Sequence, residues 1–93
     1  MRVNVKLFGP FALMSGRREF PVETDKEDLS VEDFLFLLSG KLPQIRKSLE
    51  DVDMEQFLSQ RVLLVINGMP CADKSKLLSE GDEIKILTPV AGG

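Results

Sequence analysis

Hydrophobic and polar residues alternate strictly in two stretches near the beginning of the chain. In residues 2–8, Val3, Val5 and Leu7 form one side, and this period of two predicts a strand with one buried face. Residues 18–24 alternate in the same way. A Gly-Pro dipeptide directly after the first stretch ends it. The pattern favours a hairpin whose loop is longer than the minimal turn.

The middle of the chain changes to a helical period. Ser30, with Asp33 three residues further on, resembles a capping box and predicts that a helix begins there. Gly40 marks its end. Phe36 lies off the apolar stripe, and we expect it to pack beneath a neighbouring loop. The stripe itself has the spacing of one helix face and consists of Val31, Phe34, Leu35, Leu38 and Leu42.

The segment after this helix is harder to interpret. Pro43 suits the first turn of a second helix. Residues 50–60 are acidic and show no clear period, although Phe57 and Leu58 require burial. Val62–Ile66 is apolar on both faces, which is typical of a central strand.

The end of the chain provides two turns and the last strand. Asn67-Gly68 is a hairpin turn signal, residues 73–79 favour one short helical turn, and residues 83–88 alternate until Pro89 ends the strand. The resulting order is strand, strand, helix, helix, strand, turn, strand. Because hairpin and crossover connections both occur, we expect an α+β protein with a mixed sheet and helices packed on one face.

The amino-acid composition excludes several kinds of active site. The 93 residues are expected to form one domain, and they include one cysteine and no histidine, tryptophan or tyrosine. Without histidine, Ser-His-Asp and Cys-His nucleophiles are excluded, and no Cys/His metal site is expected. The net charge of −3 argues against nucleic acid as a partner.

The apolar runs of the chain are short. The longest, Phe34–Leu38 and Val62–Ile66, have five residues each, whereas a membrane helix needs about 20. The first residues alternate and lack the apolar centre of a signal peptide. We therefore expect a cytoplasmic protein that has no membrane partner.

Residues 89–93, PVAGG, follow the last strand directly and carry no charged side chain. Fully extended, they reach at most about 17 Å from the body of the protein. Because glycine has no side chain, Gly92 and Gly93 fit a channel that is too narrow for a Cβ atom.

Three segments carry a resemblance to a known family. They are VKLFG at 5–9, VLLVING at 62–68 and LLSEGDEIKILTPVAGG at 77–93. Together they resemble the MoaD/ThiS family of ubiquitin-like sulfur carriers, and PVAGG looks most like the small subunit of molybdopterin synthase. Thr88 differs from the second proline usual in that subunit. The resemblance implies a ubiquitin-like β-grasp domain over 1–88 and a flexible C-terminal tail over 89–93.

The resemblance also implies a mechanism that depends on partner enzymes. An adenylating enzyme of the ubiquitin-activating type joins the Gly93 carboxylate to AMP, using ATP and magnesium that belong to that partner, and a sulfur donor then yields a thiocarboxylate. The large synthase subunit, in a heterotetramer, binds the tail through Pro89, Val90, Ala91 and Gly92. Sulfur passes to a pterin precursor and builds the dithiolene of molybdopterin. No cofactor is bound by this chain itself.

Strand phase predicts where partners dock. Phe8 and Leu87 lie on the polar side of their strands, and in a β-grasp sheet the first and last strands are neighbours. We expect an exposed apolar patch there, rimmed by Met69 and Pro70. Two lysines, Lys6 and Lys85, flank the same face and are available to partner acids.

Other functions remain open from the sequence. The same tail suits a sulfur carrier for thiamin or for tRNA thiolation, or a ubiquitin-like modifier joined to lysines of target proteins. A plain interaction module whose Gly-Gly end is inert is a further alternative. An autonomous enzyme is the least expected class, because the residues offer no general acid–base constellation.

Overall fold

The computed structural model describes residues 1–89, and a mixed five-stranded sheet forms its centre. The described residues form seven strands, namely β1 (Arg2–Leu7), β2 (Glu19–Glu23), β3 (Leu29–Ser30), β4 (Leu63–Ile66), β5 (Met69–Pro70), β6 (Leu77–Leu78) and β7 (Glu83–Leu87). Strands β3 and β6 pair with each other in a separate two-stranded sheet. Across the five-stranded sheet the order is β2-β1-β7-β4-β5. Strands β1 and β7 are parallel, and the other neighbours are antiparallel. The predicted mixed sheet is confirmed.

The helices lie in the connections between the strands. They are α1 (Pro10–Ser15), α2 (Val31–Ser39), α3 (Pro43–Glu50) and α4 (Met54–Gln56), which continues as a π-helical turn over Phe57–Arg61. Helix α2 begins as predicted, because the Asp33 backbone N–H donates a hydrogen bond to Ser30 Oγ at 3.1 Å. Helix α3 likewise has Pro43 in its first turn.

The core lies between one face of the sheet and the apolar sides of the helices. Val5 in β1, Ile84 in β7 and Phe34 in α2 are completely buried. Phe57 and Leu58 are buried as well, so the segment without a clear period fills the core through a short helix and its π-helical turn. Because the helices cover one face only, the other face of the sheet is open to solvent.

The sequence analysis missed helix α1. Its six residues include a single buried side chain, Phe11, and so short a segment cannot display a helical period. The helix ends at Gly16, whose φ of 70° is left-handed. The loop expected between β1 and β2 therefore contains an ordered helix.

Two other predictions were wrong. Residues 73–79 contain β6 rather than a helical turn, since pairing with β3 aligns Leu78 with Leu29 and buries both. Phe36 is 57% exposed and does not pack beneath a loop, because the inward stripe of α2 already fills the core. None of the helices within residues 1–89 has the length and apolar content needed to cross a bilayer.

Candidate functional site

The open face of the sheet carries an apolar row across three strands. The register aligns Leu63 of β4 with Leu87 of β7. The Phe8 N–H donates to the Ile86 carbonyl at 3.1 Å, which continues the parallel ladder and sets Phe8 beside Leu87. We call Phe8, Leu87 and Leu63 the apolar row. Phe8 is 41% and Leu63 39% exposed, whereas Leu87 between them is only partly exposed. The three side chains together present apolar surface to the solvent.

A charged cluster lies next to the apolar row. Lys6 and Lys85 are paired directly across β1 and β7, an arrangement in which like charges repel. Glu83 lies between them, with Oε2 3.1 Å from Lys6 Nζ and Oε1 3.9 Å from Lys85 Nζ. All three side chains are partly exposed, and such ion pairs contribute about 0–1 kcal/mol. A partner carboxylate can therefore replace Glu83 at little cost.

The two residues expected to rim the patch lie on different sides of β5. Pro70 is aligned with Val65, and Val65 in turn with Lys85, so Pro70 belongs to the open face. Met69 is aligned with Ile66, which is buried. Although Met69 is 69% exposed, the register does not bring it to the apolar row.

Both edges of the sheet carry a proline. Hydrogen bonds between β1 and β2 fall on the even-numbered positions of β2, on either side of Pro21, because the Thr24 N–H donates to the Met1 carbonyl and the antiparallel register continues from this pair. Backbone groups alternate in direction along a strand, so position 21 faces the free edge, where a proline offers no N–H. Pro70 likewise faces the free edge of β5, because the N–H of the next residue, Cys71, points to β4 and donates to a carbonyl there. Both edges therefore resist added strands.

The predicted tail begins next to the apolar row. Leu87 is the last residue of β7, and Pro89 follows two residues later and is exposed. Val90, Ala91, Gly92 and Gly93 lie outside the described residues, so the division into domain and flexible tail stays a prediction. The apolar row and the start of the tail therefore share one end of the sheet.

Sequence reasoning missed Leu63 and Glu83 as members of this face. The apolar run Val62–Ile66 was interpreted as burial on both sides, but β4 buries Leu64 and Ile66 and turns Leu63 outward. The strand period of two was the available signal, because it places Leu63 on the face opposite to Leu64 and Ile66. Glu83 shares the face of Lys85 by its spacing of two residues, but its closer partner, Lys6, comes from the register of β1 and β7 and not from sequence spacing.

The fold and its open face define a ubiquitin-like β-grasp protein. The ThiS family model matches residues 5–93, and the chain belongs to this ThiS/MoaD-type family of ubiquitin-like sulfur carriers. No curated protein sequence matches the chain.

Several solved structures are similar over nearly the full length of the chain. Small archaeal modifier protein 1 from Methanosarcina acetivorans is 30% identical, with a TM-score of 0.73 and coverage of 99% of this chain and 96% of that one. A putative molybdopterin converting factor subunit 1 from Pyrococcus furiosus is 21% identical, with a TM-score of 0.76 and coverage of 97% and 99%. Subunits 1 and 2 of molybdopterin-converting factor from Helicobacter pylori form a complex, in which the matching chain is 21% identical, with a TM-score of 0.55 and coverage of 100% of both chains.

Proposed function

We propose that this chain is the sulfur-carrying small subunit of a molybdopterin synthase and acts in the cytoplasm. The observation that carries the proposal is the apolar row at the end of the sheet where the PVAGG tail begins, in a member of a sulfur-carrier family. In this arrangement a partner that binds the open face also receives the tail.

The chemistry takes place on the terminal carboxylate. A carboxylate is a poor electrophile, so a partner enzyme first joins Gly93 to AMP, using ATP and its own magnesium and releasing pyrophosphate. A sulfur donor then displaces AMP and leaves a thiocarboxylate on Gly93. The thiocarboxylate sulfur bonds to a pterin precursor, and water then cleaves the bond between this sulfur and the Gly93 carbonyl carbon. Gly93 returns to a carboxylate, and the sulfur becomes part of the dithiolene. This chain supplies the nucleophilic atom, and the partner supplies the catalytic side chains.

Docking requires the body and the tail together. Burying Phe8 and Leu87 from full exposure would contribute about 3–6 kcal/mol, but Phe8 is 41% exposed and Leu87 is already partly buried. Docking therefore gains less than this, whereas association costs about 4–15 kcal/mol. The apolar row therefore cannot hold a partner alone. Contacts of Pro89, Val90, Ala91 and Gly92 within the partner's channel supply the remainder, and Lys6 and Lys85 offer charge pairs to partner acids.

The large synthase subunit is the proposed recipient of the tail. The complex of subunits 1 and 2 from Helicobacter pylori and the subunit 1 structure from Pyrococcus furiosus support this assignment. The resemblance to molybdopterin synthase small subunits further implies a heterotetramer, with two copies of each subunit. A second candidate, a protein modifier, is favoured by the similarity to small archaeal modifier protein 1.

Reconstitution distinguishes the two candidates. Thiocarboxylated chain is mixed with the large subunit from the same organism and a pterin precursor, and the pterin product is analysed for sulfur. Sulfur incorporation that requires Gly93 supports the synthase role. Absence of sulfur in the pterin, together with Gly-Gly remnants on lysines of other host proteins, would establish the modifier role instead.

A further inference from the structure

A second surface lies on the helical side of the sheet, in a groove between α1 and α3. We call it the basic groove. Arg17, Lys41 and Lys47 line it together with the apolar residues Met14 and Phe20, and no acidic residue lines it within the described chain. It shares no residue with the apolar row, so it is separate from the proposed docking face.

The cations of the basic groove lack carboxylate partners. Six of the twelve lysines and arginines have a carboxylate oxygen within 4 Å among residues 1–89. The six without one are Arg17, Arg18, Lys41, Arg46, Lys47 and Lys76. Half of these line a single groove, although the chain has more acidic than basic residues. The lining of the groove is therefore positively charged on an acidic protein, and two carboxylates, those of Glu50 and Asp51, lie in the adjoining depression that Lys47 also lines.

The walls of the groove are joined to each other. Gln44 Nε2 donates a hydrogen bond to the Phe11 carbonyl at 3.3 Å, which links α3 to α1. Phe20 and Leu42 are almost fully buried, whereas the Met14 side chain is 71% exposed. Methionine adapts its shape to apolar partners, and here it lies beside the three cations.

We propose that the basic groove binds an acidic segment of a partner protein. Carboxylates of that segment pair with Arg17, Lys41 and Lys47, and an apolar side chain contacts Met14. The lining favours a peptide over single-stranded nucleic acid, which needs exposed aromatic rings for stacking. Phe20, the aromatic residue of the groove, is only 7% exposed. Because the groove and the apolar row are separate, both surfaces can be occupied together.

A fluorescence anisotropy titration tests the charge contribution. The probe is a short labelled peptide in which glutamates flank a Leu-Leu pair. Replacing Arg17, Lys41 and Lys47 together by serine is expected to raise the Kd about tenfold, because each exposed pair is weak. Replacing Arg18, Arg46 and Lys76 together by serine removes the same charge elsewhere and is expected to change the Kd by less than about twofold.

A second pair of variants tests the apolar contact. Met14→Gln is expected to raise the Kd about threefold, whereas Leu13→Gln, at a neighbouring position that is 84% exposed and outside the groove lining, leaves it unchanged. Circular dichroism confirms that each variant is folded. Equal weakening by both triple variants, no saturable binding of the peptide, or tighter binding of a poly-uridine RNA of the same length would each overturn the proposal.

Discussion

Phe8 is the residue on which the proposed docking role of the open face depends most. It follows β1 on the open side and is 41% exposed, whereas its neighbour Leu7 is 3% exposed and belongs to the core. Sequence alternation alone predicted this difference, because a period of two assigns consecutive side chains to opposite faces. The alignment of Phe8 with Leu87 and Leu63 was not predictable, because it depends on the register of three strands.

The first prediction concerns a charge placed in the apolar row. Phe8→Asp is expected to raise the Kd for the large synthase subunit by about tenfold or more, because a carboxylate would be buried against apolar surface. The free energy of unfolding should change by less than about 1 kcal/mol, as at other exposed sites. Isothermal titration and urea denaturation measure the two quantities.

Phe36→Asp is the matched control for this experiment, because Phe36 is the same residue type, is 57% exposed and lies on α2, away from the apolar row. It should alter neither quantity. Normal binding by Phe8→Asp, or unfolding of that variant, would show that the open face is assigned incorrectly.

The second prediction concerns the pH dependence of stability. A hydrogen bond from Lys26 Nζ to Asp33 Oδ2, at 3.0 Å, lowers the pKa of Asp33. A carboxyl with a lowered pKa stabilises the fold above its unfolded pKa, and that contribution disappears as the pH falls through the folded pKa. Lys26→Met should therefore lower the melting temperature slightly at pH 7 but have less effect in acid below the pKa of Asp33. An effect of equal size in acid would contradict the role of this pair.

At the scale of elements, long periodic segments were predictable and short ones were not. The alternation in β1, β2 and β7 and the stripe of α2 each specify a buried face, and the structure confirms them. Strands β3 and β6 have two residues each, too few to establish a period, and only their pairing orders them. Helix α1 was missed for the same reason, and with it one wall of the basic groove.

The third prediction compares the glycines that follow two helices. Gly16, after α1, has a φ of 70°, and an added Cβ would meet no atom within 4 Å. Gly16→Ala should therefore lower the free energy of unfolding by about 1 kcal/mol through backbone strain alone. Gly40, after α2, has a right-handed φ of −70°, so Gly40→Ala should be neutral or stabilising by up to about 1 kcal/mol. Chemical denaturation of the two variants measures the difference, and equal effects would contradict the assigned backbone geometry.

At the scale of the whole molecule, the fold presents two separate surfaces. Prolines protect both sheet edges, and the tail begins at one end of the open face, which we propose as the docking surface. The basic groove faces away on the helical side. Fold class and family were evident from the sequence, because the order of the elements and the PVAGG motif are both visible along the chain itself. The two surfaces required the structure, since each combines residues that are distant along the chain.

The central claim is that Gly93 carries sulfur, and mass spectrometry of the C-terminal fragment tests it most directly. The protein is incubated with ATP, the adenylating enzyme and a sulfur donor, then cleaved after Lys85. Residues 86–93 contain no methionine or cysteine, so oxidation of these side chains cannot imitate the mass change. We predict replacement of one oxygen by sulfur at Gly93, and no replacement in the Gly93 deletion. An unmodified wild-type fragment after complete incubation would contradict the sulfur-carrier account.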